Sequence, residues 1–240
     1  MNMSDQQSER VDIAVKARGF LRNRGTNLFS GRVVSPGGVY TSEQLAQIAE
    51  CARRYGSGKI VFTTRLSAEV VGIPYENIDP ACEFLYSCGL TFGGTGSKIR
   101  PITACKGTTC IFGGFDTQAL AKRIYEEYYI GHSDTVLPHK FKIAVGGCPN
   151  SCIKPSLNDF GVEARRQGGK VAFAIYVGGT WGRKRRMEGL ELSRTVSEEE
   201  IFPILDGVLL WYSANADGKE RLAATIQRLG IEALEKALAL

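Results

Sequence analysis

The sequence predicts an α+β protein on three observations: capping boxes that open amphipathic helices, short β-branched runs between those helices, and glycine pairs that punctuate both. Thr41-Ser42-Glu43-Gln44 opens the first helix, with Leu45, Ile48, Ala49 and Ala52 recurring at helical spacing up to Tyr55-Gly56. Residues 59–64 (Lys-Ile-Val-Phe-Thr-Thr) have the character of a strand that Arg65 closes, and a short helix over 77–88 stops at Gly89. The glycine-rich stretch that begins at Thr91 marks a boundary between a first half, 1–92, and a second, 93–240. Beyond it the pattern predicts a strand near 99–103, a helix over 116–129, and strands over 141–145, 161–165 and 171–177. Ser197-Glu198-Glu199-Glu200 is a second capping box, opening a helix through Tyr212, and 218–238 reads as one or two amphipathic helices broken at Gly230.

At 240 residues, 43% apolar and 23% charged, the chain is long enough to bury a real core in one large or two small domains. Its apolar runs, 208–212 among them, are far short of the roughly 20 residues that span a bilayer. The polar start Met1-Asn2-Met3-Ser4-Asp5-Gln6 lacks a signal-peptide core, so the expected location is the cytoplasm, with no membrane partner. A net charge of +5 suits an anionic ligand as well as it suits nucleic acid. Of the 28 glycines, twelve fall in six adjacent pairs, Gly113-Gly114, Gly146-Gly147 and Gly178-Gly179 among them, as loops around a bulky ligand or as ordinary turns. Seven cysteines, an odd number without an export signal, point to metal or redox chemistry rather than a disulfide framework.

The cysteine spacing narrows this. Cys105 and Cys110 enclose four residues, and Cys148 and Cys152 enclose three. Four thiols in two close pairs suit zinc or a [4Fe-4S] cube, and the flanking Gly146-Gly147 and Pro149 favour a loop folded around the larger object. Cys51, Cys82 and Cys88 lie in predicted helices and read as small buried hydrophobes. In Leu137-Pro138-His139-Lys140-Phe141-Lys142 a strand period puts Lys140 and Lys142 on one face and Phe141 on the other. With Arg65 and Arg100 they make four cations beside special-backbone segments, a pattern that suits a polyanion pocket. Trp181-Gly182-Arg183-Lys184-Arg185-Arg186 is a further basic stretch without a nucleic-acid module around it, so no nucleic-acid partner is expected.

The order Pro36-Gly37-Gly38, Thr63-Thr64-Arg65, Gly93-Gly94-Thr95-Gly96, Arg100-Pro101, Cys-x4-Cys, Leu-Pro-x-Lys-Phe-Lys and Gly-Cys-Pro-Asn-Ser-Cys resembles the sirohaem and [4Fe-4S] sulfite and nitrite reductases, in particular their small single-module, assimilatory-type members. The resemblance implies an N-terminal ferredoxin-like half followed by a cofactor-binding half with C-terminal helices. It implies six-electron reduction of sulfite to sulfide, with electrons from an external donor protein. Cys105, Cys110, Cys148 and Cys152 would hold the cluster, and Cys152 would bridge it to the haem iron. Arg100, Lys140 and Lys142 would hold the oxyanion. Lysines crowded beside other cations also serve as acids for departing oxygens. Arg65, Gly94, Thr95, Lys106, Thr108, Asn150 and Gly179 would contact the macrocycle, a polycarboxylate that gives the positive charge and the glycine loops a purpose.

Two departures matter. Larger members have an arginine where this chain has Val34, and Arg32, one pleat away on the same face, is the candidate replacement. Larger members also carry two copies of the module, the cations of one meeting the cysteines of the other, which for a single copy raises a C2 homodimer. The alternatives are nitrite reduction to ammonia, a non-catalytic [4Fe-4S] electron carrier or redox sensor with a basic docking face, and a zinc-bound nucleic-acid module.

Overall fold

The computed structural model describes residues 3–182 and 185–240; Met1, Asn2 and two cations of the basic stretch after Trp181, Arg183 and Lys184, lie outside the described residues. The chain forms two compact units, 1–96 and 97–240. The glycine-rich loop belongs with the first unit, because the Thr95 hydroxyl donates to the Lys16 carbonyl and Arg32 Nη1 donates to the Gly94 carbonyl at 3.0 Å.

The first unit contains α1 (Met3–Ala17), β1 (Phe20–Arg22), β2 (Leu28–Val34), α2 (Ser42–Tyr55), β3 (Lys59–Phe62), β4 (Ala68–Pro74), α3 (Ile78–Ser87) and β5 (Thr91–Phe92). The capping box of α2 is complete: the Thr41 hydroxyl accepts from the Gln44 N–H and the Gln44 side chain accepts from the Thr41 N–H. The sheet runs β1-β2-β4-β3, with β5 also on β2, and every pairing is antiparallel. Its core joins Phe20, Phe29, Val33, Val70 and Ile73 of the strands to Ile48, Ala52, Ile78 and Leu85 of the helices. Cys51 is fully buried there, and burial pushes its thiol up to about 12. Cys82 Sγ accepts from Arg18 and Cys88 donates to Gln47, so these thiols are spent on packing and local hydrogen bonds.

Three elements of this unit carry no legible signal. Helix α1 is polar, with Val15 its one fully buried apolar side chain among residues 9–17. Strand β1 is three residues long, and β2 is interrupted by Gly31 and Arg32. The strand expected over 59–64 ends at Phe62, and Arg65 lies in the turn to β4, where the Thr63 hydroxyl accepts from the Arg65 N–H.

The second unit contains β6 (Thr103–Ala104), α4 (Thr117–Ile124), β7 (Ile143–Gly146), β8 (Phe160–Gln167), β9 (Lys170–Val177), β10 (Thr180–Trp181), β11 (Arg186–Met187), β12 (Leu190–Glu191), α5 (Ile201–Asn215), α6 (Leu222–Leu229) and α7 (Ile231–Ala237). Its main sheet has the order β12-β9-β8-β7-β6, with β6, β7 and β8 parallel and β8-β9 and β9-β12 antiparallel. Helix α4 makes the crossover from β6 to β7. Strands β6 and β7 are fully buried, as parallel strands are when covered on both faces. Phe141, Ile143, Val145, Phe160, Val162 and Ile175 pack with Leu120, Ile124, Leu205, Val208 and Tyr212.

Proline and competing hydrogen bonds explain where boundaries move. The strand expected near 99–103 is one bridge, Ile99 to Phe141, and then β6, because Pro101 has no N–H for the ladder. Only the Glu200 half of the second capping box forms, its carboxylate accepting from the Ser197 N–H at 2.8 Å, and α5 begins at Ile201. Pro203 would clash with the Glu199 carbonyl in a longer helix but is tolerated in the first turn. The helix expected to reach Tyr129 becomes a π-turn over Tyr125–Ile130, which lets the Tyr128 hydroxyl donate to Asp206 Oδ1 at 2.8 Å. The break between α6 and α7 falls at Gly230, with φ at 85°.

Gly179 owes its identity to packing, whatever else it touches. A Cβ there would lie 2.1 Å from the Ser156 carbonyl oxygen and 2.7 Å from the Asn158 nitrogen, both backbone atoms. Gly179→Ala is expected to lower stability by roughly 1–3 kcal/mol, read as a lower midpoint in thermal or urea unfolding.

Candidate active site

The parallel register of β6 and β7 sets the site. Thr103 pairs with Ala144 and Ala104 with Val145, so both strands end at one level. Cys105 follows β6 directly, and Cys148 follows β7 after Gly147. The two cysteine loops therefore leave the same end of the sheet side by side. Gly147 ties them: its N–H donates to Cys105 Sγ at 3.3 Å and its carbonyl accepts from the Gly114 N–H at 3.3 Å. A Cβ on Gly147 would lie 3.1 Å from Thr117 Cγ2 and 3.3 Å from Cys105 Sγ, so the approach depends on glycine.

Helix α4 braces the first loop. Asp116 caps its N-terminus, and Thr117 Oγ1 and Gln118 Nε2 both donate to the Cys105 carbonyl, at 2.6 and 2.7 Å. Cys105, Cys110 and Cys148 are half-buried and Cys152 is exposed. Lys106, Thr108 and Asn150 are exposed in the same loops, so the structure brings these three sequence-predicted residues to the cysteines. Among the described residues, no three His, Cys, Asp or Glu side chains converge on a single metal ion. Paired thiols on adjoining loops, with a backbone N–H aimed at sulfur, fit a larger iron–sulfur cube.

The predicted anion-binding residues of this unit sit at the other end of the same strands. Arg100 precedes β6 and its N–H donates to the Phe141 carbonyl at 2.8 Å. Lys140 and Lys142 precede β7 and are half-buried, while Phe141 between them is fully buried, which is the alternation expected. Lys142 is held at both ends: its N–H donates to Asp159 Oδ2 at 2.9 Å and its Nζ reaches the Trp181 carbonyl at 3.4 Å.

Sequence reasoning missed three neighbours of this set. Asp159, fully buried just before β8, receives Arg221 Nη2 at 2.8 and 2.7 Å. Burial pushes the Asp159 carboxyl up, and Arg221 opposes the shift. His139 Nδ1 accepts from the Lys140 N–H at 2.8 Å. Burial holds the His139 imidazole below its ordinary value, with Arg221, Lys140 and Arg100 adding to the effect. That direction favours the neutral imidazole in which Nδ1 accepts and Nε2 carries the proton. An isolated histidine beside a Lys-x-Lys was a visible signal; the Asp159–Arg221 pair spans 62 residues and was not.

The remaining predicted residues lie in the first unit. Arg32 Nε donates to Glu69 Oε1 at 2.9 Å, its Nη2 pairs with the same oxygen, and both side chains are largely buried. The register places Arg32 opposite Glu69, which meets its charge. Arg65 is half-buried in its turn, and Gly94 and Thr95 are held to Arg32 and Lys16 as described above.

Comparison with known proteins places this geometry. Residues 95–240 match the nitrite and sulphite reductase 4Fe-4S domain, and residues 22–86 match the nitrite/sulfite reductase ferredoxin-like half domain. The chain is 34% identical to a nitrite reductase [NAD(P)H] of Emericella nidulans over 83% of its own length and 18% of that protein's. It is 29% identical to a coenzyme F420-dependent sulfite reductase of Methanocaldococcus jannaschii over 81% of this chain and 39% of that one. It thus spans well under half of these two relatives. A sulfite reductase, assimilatory-type, of Nitratidesulfovibrio vulgaris is 28% identical over 85% of this chain and 89% of its own. The structure of Mycobacterium tuberculosis NirA shares the fold, with a TM-score of 0.79 and 19% identity over 94% of this chain and 46% of that one. The chain belongs to the nitrite and sulfite reductase family, whose cofactors are sirohaem and a [4Fe-4S] cluster, with a ferredoxin-like half followed by a 4Fe-4S domain.

Proposed function

We propose that this chain is a cytoplasmic reductase that takes sulfite to sulfide, using sirohaem and a [4Fe-4S] cluster and electrons from an external donor protein. The observation that supports the reading is the pair of cysteine loops at one end of the parallel strands with a cation set built on the same strands. Cys105, Cys110, Cys148 and Cys152 would hold the cluster in this reading, and Cys152, the exposed one, would be the link to the haem. Lys106, Thr108 and Asn150, in the cysteine loops, would contact the macrocycle in this reading, and Arg65, Gly94, Thr95 and Gly179 are further candidate contacts. When bound, the two cofactors supply the iron that takes the substrate and the electrons that reduce it. Arg100, Lys140 and Lys142 hold the oxyanion, and the lysine Nζ groups donate protons to its departing oxygens. Asp159 positions Lys142 through its backbone N–H, and the neutral His139 adds a hydrogen-bond donor without further charge repulsion.

The active assembly in this proposal is a C2 homodimer. Strand β7 separates Lys142 from Gly147, and its four residues span roughly 13 Å at a rise of about 3.3 Å each. One chain's own cations thus stand off from its own cysteines, and a two-fold partner brings each set to the other. Nitrite is the competing substrate, because the Emericella nidulans relative is named for it.

An absorption spectrum with iron and acid-labile sulfide counts tests the cofactors: macrocycle bands and about five irons per chain are expected, and colourless protein overturns the reading. The ratio of kcat/KM for sulfite and nitrite decides the substrate, with sulfite expected to be preferred. Mixing a Lys140→Ala/Lys142→Ala chain with a Cys152→Ser chain, each inactive alone, is expected to restore turnover through mixed dimers; a fully active monomer by light scattering contradicts the assembly. The unfolded chain takes up a proton on His139 that the folded chain refuses. Stability is therefore expected to fall as pH drops through the ordinary value of 6.5 towards the depressed folded one. His139→Asn should flatten that part of a pH series of urea unfolding curves.

A further inference from the structure

The parallel ladder between β7 and β8 starts with Ile143 opposite Phe160, so Lys142 stands just outside it. The Lys142 carbonyl accepts from the Phe160 N–H at 3.0 Å, whereas its N–H turns to a side chain and donates to Asp159 Oδ2 at 2.9 Å. The main chain of Asp159 is committed as well: its carbonyl accepts from the Gly178 N–H at 2.9 Å, at the start of the turn that carries Gly179. Asp159 is fully buried, and a carboxylate taken out of water is costly unless a cation meets it in good geometry. Arg221 does so. Its Nη2 donates to both carboxylate oxygens at 2.8 and 2.7 Å, its Nε lies 3.3 Å from Oδ1, and its own side chain is largely buried.

Arg221 is itself held in place. It caps the N-terminus of α6, where its carbonyl accepts from the Ala224 and Thr225 N–H groups at 2.8 and 3.1 Å, and the carbonyl of Glu220 before it accepts from the buried Tyr212 hydroxyl at 2.6 Å. The helix thus presents the guanidinium from a fixed point. A guanidinium on both oxygens fixes the plane of a carboxylate as an ammonium does not, and here that plane leaves Oδ2 directed at the Lys142 N–H. Buried ion pairs add little stability over apolar side chains of the same volume, so the charge is better accounted for by the segment it holds, which carries Lys140 and Lys142. We infer that Arg221 is a positioning residue, which through Asp159 fixes the backbone of Lys142 and with it the origin of the side chain that meets the oxyanion. This rests on the proposed reductase reading, in which Lys142 binds the substrate.

The test uses cofactor-loaded protein with sulfite as substrate and reduced methyl viologen as reductant, and reads KM, kcat and the hydrogen exchange of the Lys142 amide. Arg221→Met leaves the carboxylate buried without its cation; it is expected to raise KM about tenfold or more, by a larger factor than any fall in kcat, and to speed Lys142 amide exchange about tenfold or more. Asp159→Asn/Arg221→Met keeps an oxygen to accept from the Lys142 N–H and needs no counter-charge, so it should recover most of the KM and of the amide protection. Unchanged KM and unchanged exchange in Arg221→Met, with only a lower unfolding midpoint, overturn the inference in favour of a fold brace. A double variant whose Lys142 amide is protected while KM stays raised overturns it in favour of a direct contact between Arg221 and the anion, and this variant decides the matter even if Arg221→Met does not fold. If wild type does not reduce sulfite, the reductase reading falls, and the exchange still decides whether Arg221 holds Lys142.

Discussion

The parallel pairing of β6, β7 and β8 is the constraint on which the rest of the second unit depends. Parallel strands begin at one edge of a sheet and end at the other, so whatever flanks them is sorted by direction. Here the residues before the strands are Arg100, Lys142 and Asp159, and those after them are Cys105 and Gly147-Cys148. A shift of register between β6 and β7 would separate the cysteine loops and remove the Gly147 N–H from Cys105 Sγ. The buried apolar positions of β7 and β8 hold that register, since a one-residue slip would turn Ile143, Val145, Phe160 and Val162 away from their partners.

The two ends of the sheet are built by different physics. At the cysteine end the backbone does the work: a helix cap, two donors on one carbonyl, and a glycine close enough for its N–H to meet sulfur. At the cation end the work is electrostatic. Arg221 and the Lys142 N–H meet the buried Asp159 carboxylate, and Arg221, Lys140 and Arg100 add to burial in holding the His139 imidazole below its ordinary value.

The first unit shows charge being withdrawn instead of offered. Arg32 faces Glu69 across the β2–β4 ladder, and the pairing follows from register alone. A guanidinium held by a carboxylate and a carbonyl is a structural brace for the glycine-rich loop, which it joins through Gly94. The same unit keeps its three cysteines in helix packing, where burial suppresses the thiolate of Cys51.

How much of this was legible depended on how local each signal is. The α2 cap, the α4 helix with Asp116 before it, the β8 and β9 strands and the Gly230 break are written within a few neighbouring residues, and the α+β class follows from them. The family resemblance rests on seven motifs in order, the two cysteine pairs among them, whereas the cysteine spacing by itself suits zinc or a [4Fe-4S] cube. The boundaries that moved did so where a proline or a distant acceptor competed, as with Pro101, Pro203 and the Lys142 N–H bound by Asp159. The sequence by itself therefore determined which residue types are present, in what order, and which chemistry they can support. Only the tertiary structure decided that the cysteines share one end of a sheet, that the cations occupy the other, that Glu69 answers Arg32 and that Arg221 answers Asp159. Those outcomes depend on strand direction, on register and on pairings 37 and 62 residues apart, which no local pattern encodes.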